Sequence, residues 1–231
     1  MPFSDLLLAA GISMFCIAFA QFFMRAYKEE TFGRAFWLKG GAALCFVALG
    51  ALLLSKTDNP AYGKLLLIGL TLGLCGDELL ALRFLIPKLH DLMFAAGAGA
   101  FAVGHFFYMK ALYDLGAVRM VTLIPIFLAG VAVANLYGKK HGSNAGPLQP
   151  AGLAYMVLVI FMGAVTVSAF LGAPSFALLL FALGGVCFGV SDNILFAYCF
   201  GKRPVWSMNV WVHITYYAAQ LLIAWSIFFI H

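Results

Sequence analysis

Apolar runs of about 20 residues recur along the whole sequence, and they limit the folds open to this chain more than any other feature. A helix that crosses the roughly 30 Å hydrocarbon layer of a bilayer needs about 20 mostly apolar residues. A soluble domain is about 25% charged, whereas this 231-residue chain is 10% charged and 64% hydrophobic. The sequence therefore predicts an all-α, polytopic membrane bundle of eight helices in a single domain. The predicted spans are 5–24, 36–55, 62–86, 92–112, 118–136, 151–171, 175–200 and 205–230.

Lysine and arginine divide unevenly between the two sides of these spans. Ten of the 14 fall on the side of the loops that follow spans one, three, five and seven, and the ten include Lys39 near the start of span two. By the positive-inside rule this side is cytoplasmic, so both termini are expected on the non-cytoplasmic side. Cationic loops of membrane proteins report orientation, so the bilayer is the expected partner and nucleic acid is not.

The third and seventh spans share a pair of glycines followed by an aspartate, and the next span in each case carries His-x-x-Tyr. The residues are Gly69, Gly73 and Asp77 followed by His105 and Tyr108, and Gly185, Gly189 and Asp192 followed by His213 and Tyr216. An offset of four spans preserves helix direction, which is the pattern of a parallel 4+4 repeat. Chance similarity between apolar helices is the alternative.

Helical spacing predicts that the glycines and the aspartate of each span share one face. Small residues allow membrane helices to approach closely, so spans three and seven are expected to pack through these faces. Counting the 1.5 Å rise per residue places Asp77, Asp192 and His213 about 12–14 Å inside the cytoplasmic helix ends. These three side chains are thus expected in one layer, with His105 and Tyr108 one to two turns deeper.

An ionisable side chain in hydrocarbon costs about 2.5–3.5 kcal/mol, so a functional role is the default hypothesis for it. The main candidates are Asp77 and Asp192. The alternative is that they only bond neighbouring helices, and for Glu78 that it pairs with Arg83. The supporting candidates, which include a polar stripe along the last span, are Glu78, Asn193, His105, Tyr108, Asn209, His213, Tyr216, Tyr217 and Gln220.

The sequence has no motif that predicts a metal site or a cofactor. HExxH, HxxxH and CxxC do not occur, so zinc at His105, His213 and an aspartate is an alternative with no spacing behind it. Neither a GxSxG motif nor a phosphate-binding loop occurs. We therefore expect carboxylate chemistry with no cofactor, rather than a serine or cysteine nucleophile.

Four short motifs make the chain similar to the YhhN-like lysoplasmalogenase family of integral membrane hydrolases. They are Gly76-Asp77-x-Leu79-Leu80, Gly104-His105-x-x-Tyr108, Ser191-Asp192-x-x-Leu195 and His213-x-Thr215-Tyr216-Tyr217-x-Ala219-Gln220-Leu221. The resemblance extends over the whole eight-span layout. It implies hydrolysis of the sn-1 vinyl-ether bond of a lysophospholipid, the lysoplasmalogen, with release of a fatty aldehyde and a glycerophospho-base. It also implies that Asp77 and Asp192 are the catalytic groups.

The chemistry of a vinyl ether agrees with two buried carboxyl groups. The bond breaks after protonation of its β-carbon, which requires an acid that is still protonated near neutral pH. Two neighbouring carboxyl groups that share one proton supply both an acid and a carboxylate. Which aspartate has which role is left open. The phosphate of the substrate is expected near the loop cations, which also serve for orientation alone: Arg83, Lys88, Lys202 and Arg203.

Other functions fit the same residues. A proton-coupled small-molecule or lipid transporter also uses intramembrane carboxylates and histidines, and a 4+4 repeat suits alternating access. A lipid-binding membrane protein without chemistry and a zinc-dependent amidase-like hydrolase are two further interpretations.

Overall fold

The computed structural model of the chain describes residues 3–230. Over this range it contains eight long α-helices and no β-strand. All eight are long and apolar enough to cross a membrane, which confirms the prediction of a polytopic α-helical membrane protein. The helices are α1 Phe3–Lys28, α2 Phe32–Leu54, α3 Pro60–Leu82, α4 His90–Asp114, α5 Met120–His141, α6 Gln149–Gly172, α7 Phe176–Phe200 and α8 Trp206–Phe229.

Four helix bounds differ by four or five residues from the sequence prediction, and two of them flank the first turn: α1 ends four residues later, at Lys28, and α2 begins four residues earlier, at Phe32. Helix α3 stops at Leu82, four residues early, because the chain turns there and Pro87 begins a separate 3-10 turn. Helix α5 continues five residues beyond its predicted end, because the polar segment after Tyr137 keeps helical geometry. It ends where Gly142 adopts φ 61°, a left-handed conformation that glycine adopts without steric cost.

The chain divides into two compact units. Unit 1 extends to Ala111 and also contains the chain from Ala224 onward, while unit 2 is Leu112–Ile223. In unit 1, α1 packs on α2 and α2 packs on α3. The end of α8 joins this unit through polar contacts: Tyr62 Oη lies 2.9 Å from Ser226 Oγ, and the Trp225 indole donates to Ser13 Oγ at 3.2 Å.

Unit 2 is built in the same way from the later helices. Helix α5 packs on α6, and α6 packs on α7. The Ser168 hydroxyl links the start of α5 to α6, because it accepts from the Arg119 backbone N–H at 3.0 Å and lies 2.8 Å from Thr122 Oγ1. Lipid gives helices no hydrophobic reason to associate, so such interhelical bonds and close packing of small residues hold the unit together.

The contacts between α3 and α4 in unit 1 recur between α7 and α8 in unit 2. In unit 1, a Cβ placed on Gly104 would stand 3.2 Å from the Gly69 carbonyl oxygen, and one on Gly69 would overlap the Tyr108 ring. In unit 2, a Cβ on Gly184 would stand 3.1 Å from the Ala219 carbonyl oxygen and 2.9 Å from Ile223. Gly184, Ala219 and Ile223 each follow their unit 1 counterparts by 115 positions.

A second pair of contacts has the same spacing. A Cβ on Gly97 would stand 3.1 Å from the Gly76 carbonyl oxygen, and 115 positions later Ser191 Oγ donates to the Val212 carbonyl oxygen at 3.0 Å. Asp77 and Asp192 are also 115 positions apart. The internal packing of the two units therefore supports the 4+4 repeat and makes the two aspartates equivalent.

The structure corrects how the repeat was aligned. Gly184, not Gly185, is equivalent to Gly69, because Gly185 lies against Thr166 of α6. The two His-x-x-Tyr motifs are not equivalent either: the counterpart of His105 is Gln220. The two motifs contain the same residue types, but His213 lies seven residues, or about two turns, before the position that is equivalent to His105.

The prediction that the first glycine and the aspartate of each span share a face is wrong for α3. Gly69 lies against Tyr108 of α4, whereas Asp77 contacts α2. In α7 the prediction is confirmed, because Gly185 and Asp192 both contact α6. The difference follows from spacing: eight residues on an α-helix turn the chain about 80° past the starting face, and seven bring it back.

Candidate functional site

Asp77 is buried in unit 1 and forms an ion pair with a lysine of α2. Its side chain is 2% exposed, and Lys39 Nζ lies 3.0 Å from its Oδ1. The ammonium also lies 5.8 Å from the centroid of the Phe23 ring. In a low-dielectric interior this pairing stabilises the ionised carboxylate, and removal of either partner leaves an uncompensated charge. Lys39 therefore belongs to the candidate site and not to the cationic loops.

Glu78 follows Asp77 and also faces α2. A Cβ on Gly40 would overlap Glu78 Oε1, so a glycine is required where this carboxyl group meets the helix backbone. Glu78 Oε1 is buried and has no hydrogen-bond partner among residues 3–230. No ion pair joins Glu78 to Arg83 in the described chain, so the structure does not support that alternative for Glu78.

His105 and Tyr108 lie on α4, farther along the axis of unit 1. His105 is 1% exposed, and its ring centroid is 6.2 Å from that of Tyr108. Because Gly104 packs against Gly69, His105 lies about two turns from the level of Asp77. Tyr108 lies almost one turn farther along α4, so it is deeper relative to the aspartate than the expected one to two turns.

Asp192 is buried in unit 2 and accepts a hydrogen bond from a tyrosine of α6. The residue is 6% exposed, and Tyr155 Oη donates to its Oδ2 at 2.7 Å. The preceding helix of the repeat thus supplies a donor to both aspartates. Tyr155 follows Lys39 by 116 positions, one more than the offset of the aspartates themselves.

His213 lies at the level of Asp192, as predicted. The bond from Ser191 Oγ to the Val212 carbonyl oxygen joins α7 to α8 at 3.0 Å, and the two next residues in the chain are Asp192 and His213. His213 Nδ1 lies 2.7 Å from the Asn209 carbonyl oxygen. This bond fixes the proton on Nδ1, so a neutral ring has its lone pair on Nε2.

The remaining polar residues of unit 2 form local contacts around α7 and α8. Asn193 Nδ2 donates to the Gly189 carbonyl oxygen at 2.8 Å, within its own helix. Gln220 is fully buried and its Nε2 donates to Tyr216 Oη at 2.9 Å. Tyr216 and Tyr217 pack edge to face at 5.1 Å. Asn209 is 2% exposed, and its Nδ2 has no hydrogen-bond partner in the part of the chain that the structure describes.

The four candidate headgroup residues differ in their surroundings. Lys88, Lys202 and Arg203 are exposed, whereas Arg83 is half-buried at the end of α3. In unit 2 the loop that carries Lys202 is bonded to the end of α5, because the Lys202 backbone N–H donates to the His141 carbonyl oxygen at 3.0 Å. A combined headgroup site of all four stays a prediction, as does a shared site of Asp77 and Asp192.

Sequence reasoning missed Lys39 and Tyr155, the direct partners of the two aspartates. Lys39 was counted with the loop cations because it lies close to the predicted start of its span. Each pair can nevertheless be predicted from the sequence. The two residues lie at almost the same number of residues from the turn that connects their antiparallel helices, which brings them to the same level. Lys39 precedes Ser55 by 16 residues and Asp77 follows Asn59 by 18. An ionisable or hydroxyl residue at matched distance from a short turn is therefore a usable signal.

The described residues form no cluster of side chains that could bind a metal ion. Between residues 3 and 230 there is no group of three or more His, Cys, Asp and Glu side chains placed to hold a metal ion. What both units offer instead is a buried carboxyl group with a hydrogen-bond donor. Such a group can hold a proton, release it, or stabilise a neighbouring cation.

Comparison with known proteins gives one match. The model of the YhhN family matches residues 34–227, which include both aspartates and their partners. No curated protein and no solved structure matches the chain.

Proposed function

Because the chain belongs to the YhhN family, we propose that it is a membrane hydrolase that cleaves the sn-1 vinyl-ether bond of lysoplasmalogens. The products are a fatty aldehyde and a glycerophospho-base. The observation that carries the proposal is the equivalence of Asp77 and Asp192 within the repeat, each buried and each bonded by a donor on the preceding helix. A vinyl ether requires an acid and a carboxylate, and these two residues provide one carboxyl group each.

The reaction needs no cofactor in this scheme. A carboxylic acid transfers its proton to the β-carbon of the vinyl ether, and the π electrons form the new C–H bond. The resulting oxocarbenium ion is stabilised by a carboxylate until water adds to it. The water loses one proton to a carboxylate, and the hemiacetal then collapses to the aldehyde and the free glycerol hydroxyl.

The partners of the aspartates support different roles for the two residues. Lys39 places a positive charge 3.0 Å from Asp77, which favours the ionised form of Asp77. Asp77 then stabilises the cation and orients water. The proton donor is Asp192, because a tyrosine hydroxyl can bond one carboxyl oxygen while the other oxygen carries the proton. In this scheme His213, which lies at the level of Asp192, returns that proton.

Separate Asp77→Asn and Asp192→Asn variants test the assignment. Purified protein in detergent is given a lysoplasmalogen, and the aldehyde is measured by mass spectrometry. Loss of a general acid or base lowers the rate by about 10²–10⁴-fold, so each variant should fall by at least about 100-fold. Asp91→Asn is the matched control, because Asp91 is 82% exposed and should tolerate the change. Near-normal turnover by either folded site variant would refute the assignment of that residue.

The bond that is cleaved can be identified directly. A saturated ether analogue has no double bond whose π electrons can accept a proton, so it should release no product. In D₂O the aldehyde should carry one deuterium on the carbon next to its carbonyl, because the donor proton exchanges with solvent before transfer. Aldehyde without that deuterium would exclude protonation of the vinyl carbon.

A proton-coupled small-molecule or lipid transporter is the second candidate. It is favoured by the shared internal register of the two four-helix units and by the buried Lys39–Asp77 pair. Reconstituted protein would then move protons with a lysophospholipid and leave that lipid intact. Aldehyde formation without coupled proton movement favours the hydrolase.

A further inference from the structure

The guanidinium group of Arg83 is held between two aromatic rings at the end of α3. Its Cζ lies 4.6 Å from the centroid of Phe84 and 5.0 Å from that of Phe94. Contact with ring faces orients a guanidinium group and leaves its edge N–H donors available. Arg83 is therefore held in place by aromatic groups that carry no opposite charge.

No other group in the described chain neutralises that charge. Nε of Arg83 is buried without a hydrogen-bond partner, and no ion pair reaches this side chain within residues 3–230. The two carboxyl groups nearest in sequence are turned toward α2, where Asp77 pairs with Lys39 and Glu78 lies against Gly40. By contrast, Arg25 at the end of α1 has an acidic partner, Glu29, at 3.0 Å.

The rings that hold Arg83 belong to a larger aromatic cluster of unit 1. Phe84 stacks on Phe32, with centroids 5.1 Å apart and planes 10° apart. Tyr27 and His90 contact the edges or faces of the same ring at 5.3 and 6.2 Å. Because three helices and the α3–α4 turn contribute to this cluster, it limits the motion of the arginine side chain. An ordered guanidinium loses less entropy when it binds an anion.

We propose that Arg83 is the phosphate-binding residue for the lysophospholipid substrate. The site rests on the proposed function, and the ligand chemistry it recognises is a phosphodiester, through the planar fork of N–H donors that fits phosphate oxygens. Of the four candidate cations, only Arg83 is half-buried and clamped. Lys88, Lys202 and Arg203 are exposed.

The position of Arg83 suits the proposed chemistry. Asp77 precedes Arg83 by six residues in the sequence, a helix rise of about 9 Å. The substrate carries its phosphate and its vinyl ether at opposite ends of one glycerol unit, a separation of similar size. A phosphate bound at Arg83 thus leaves the vinyl ether at the depth of the aspartate.

Binding of a lipid that cannot be cleaved tests this site without turnover. The probe is a saturated 1-O-alkyl lysophosphatidylcholine, and its affinity is measured by microscale thermophoresis in non-ionic, phosphate-free detergent. Arg83→Gln should weaken binding by about 10- to 100-fold, as expected for loss of a charge-assisted hydrogen-bonded pair. Arg34→Gln is the matched control, since it removes an exposed guanidinium group near the start of α2 in unit 1, and it should change affinity less than about threefold.

Two further ligands separate the phosphate from the rest of the molecule. A neutral 1-O-alkylglycerol should bind wild type and Arg83→Gln equally. Glycerophosphocholine should compete with the probe in wild type, whereas inorganic phosphate alone should compete far less if the lipid is the true source of the phosphodiester. Competition by inorganic phosphate as strong as by glycerophosphocholine would assign the site to free phosphate instead and overturn the proposal.

A conservative variant guards against simple loss of folding. Arg83→Lys keeps the charge and loses the planar fork, so it should bind the probe more weakly than wild type and more tightly than Arg83→Gln. Equal affinity of wild type, Arg83→Lys and Arg83→Gln would overturn the proposal, and so would equal weakening by Arg83→Gln and Arg34→Gln. If wild type binds the probe through Arg83 but releases no aldehyde from lysoplasmalogen, the hydrolase proposal fails and the phosphate site stands.

Discussion

The two units place an aspartate at the same point of the same packing pattern, but they give it different partners. In unit 1 the partner is the Lys39 ammonium, and in unit 2 it is the Tyr155 hydroxyl. The helix register that fixes each carboxyl group is repeated, with equivalent contacts 115 positions apart. The repeated packing therefore determines where the carboxyl groups lie, and one side chain on the preceding helix gives each of them a different kind of partner.

Packing around the aspartates shows the same relation. Gly69 and Gly184 both permit a close approach of the following helix, but the space is filled by Tyr108 in unit 1 and by Ile223 in unit 2. Gly76 lies against the Phe101 ring, whereas its counterpart Ser191 bonds the Val212 carbonyl oxygen. Equivalent helices approach each other equally closely in the two units, but different side chains fill the space between them. A substitution in one unit can therefore be compared with the residue that the other unit has at the equivalent position.

The largest effect is expected from Lys39→Met, which keeps the length of the side chain and removes its charge. Asp77 would then be a buried carboxylate without its cation, which costs about 3–5 kcal/mol. Unfolding measured in detergent by circular dichroism should show this loss, and Lys39→Arg should recover most of it. Adding Asp77→Asn to Lys39→Met removes the orphaned charge and should restore most of the stability. Equal stability of Lys39→Met and wild type would mean that the ion pair does not hold α2 to α3.

Hydropathy alone located the helices because a bilayer admits few other structures. The sequence also indicates both aspartates as candidate site residues, since a carboxyl group in an apolar run is expected to be buried in the protein or functional. Their partners were not indicated: Lys39 stands near a span boundary, where lysine is common, and Tyr155 is one more aromatic residue in an apolar helix. Register between neighbouring helices, which distinguishes Gly184 from Gly185, depends on side-chain packing that no residue pattern in one helix specifies.

Gly69→Ala should have the second largest effect, because its methyl group would overlap the Tyr108 ring. Overpacking of this kind costs about 1–3 kcal/mol. Tyr108→Ile gives unit 1 the residue that fills the equivalent space in unit 2, so Gly69→Ala should cost less in that background. The four proteins form a double-mutant cycle that is read from thermal unfolding. Additive losses in the cycle would show that the two residues do not share the contact.

Tyr155→Phe should cost less than either change, because it removes a neutral hydrogen bond from Asp192 and leaves the ring in place. A loss of about 1 kcal/mol is expected. In the proposed mechanism the phenol positions the proton donor and does not hold the lipid, so turnover of lysoplasmalogen should fall more than binding of its saturated analogue. If Tyr155→Phe were as destabilising as Lys39→Met, the two donors would stabilise their aspartates equally. The expected difference between the ion pair of unit 1 and the hydrogen bond of unit 2 would then be wrong.

Ser191→Ala should have the smallest effect and addresses the repeat itself. The lost bond to the Val212 carbonyl oxygen is worth about 0.6 kcal/mol, the average for interhelical hydrogen bonds in membranes. The register of α7 and α8 should survive, because Gly184 still meets Ala219 and Ile223, just as Gly76 in unit 1 keeps its register without a hydroxyl. Catalytic rate should therefore change little, since His213 stays level with Asp192. A large drop in rate with normal stability would instead mean that the hydroxyl aligns those two residues, and that unit 2 depends on a bond for which unit 1 has no equivalent.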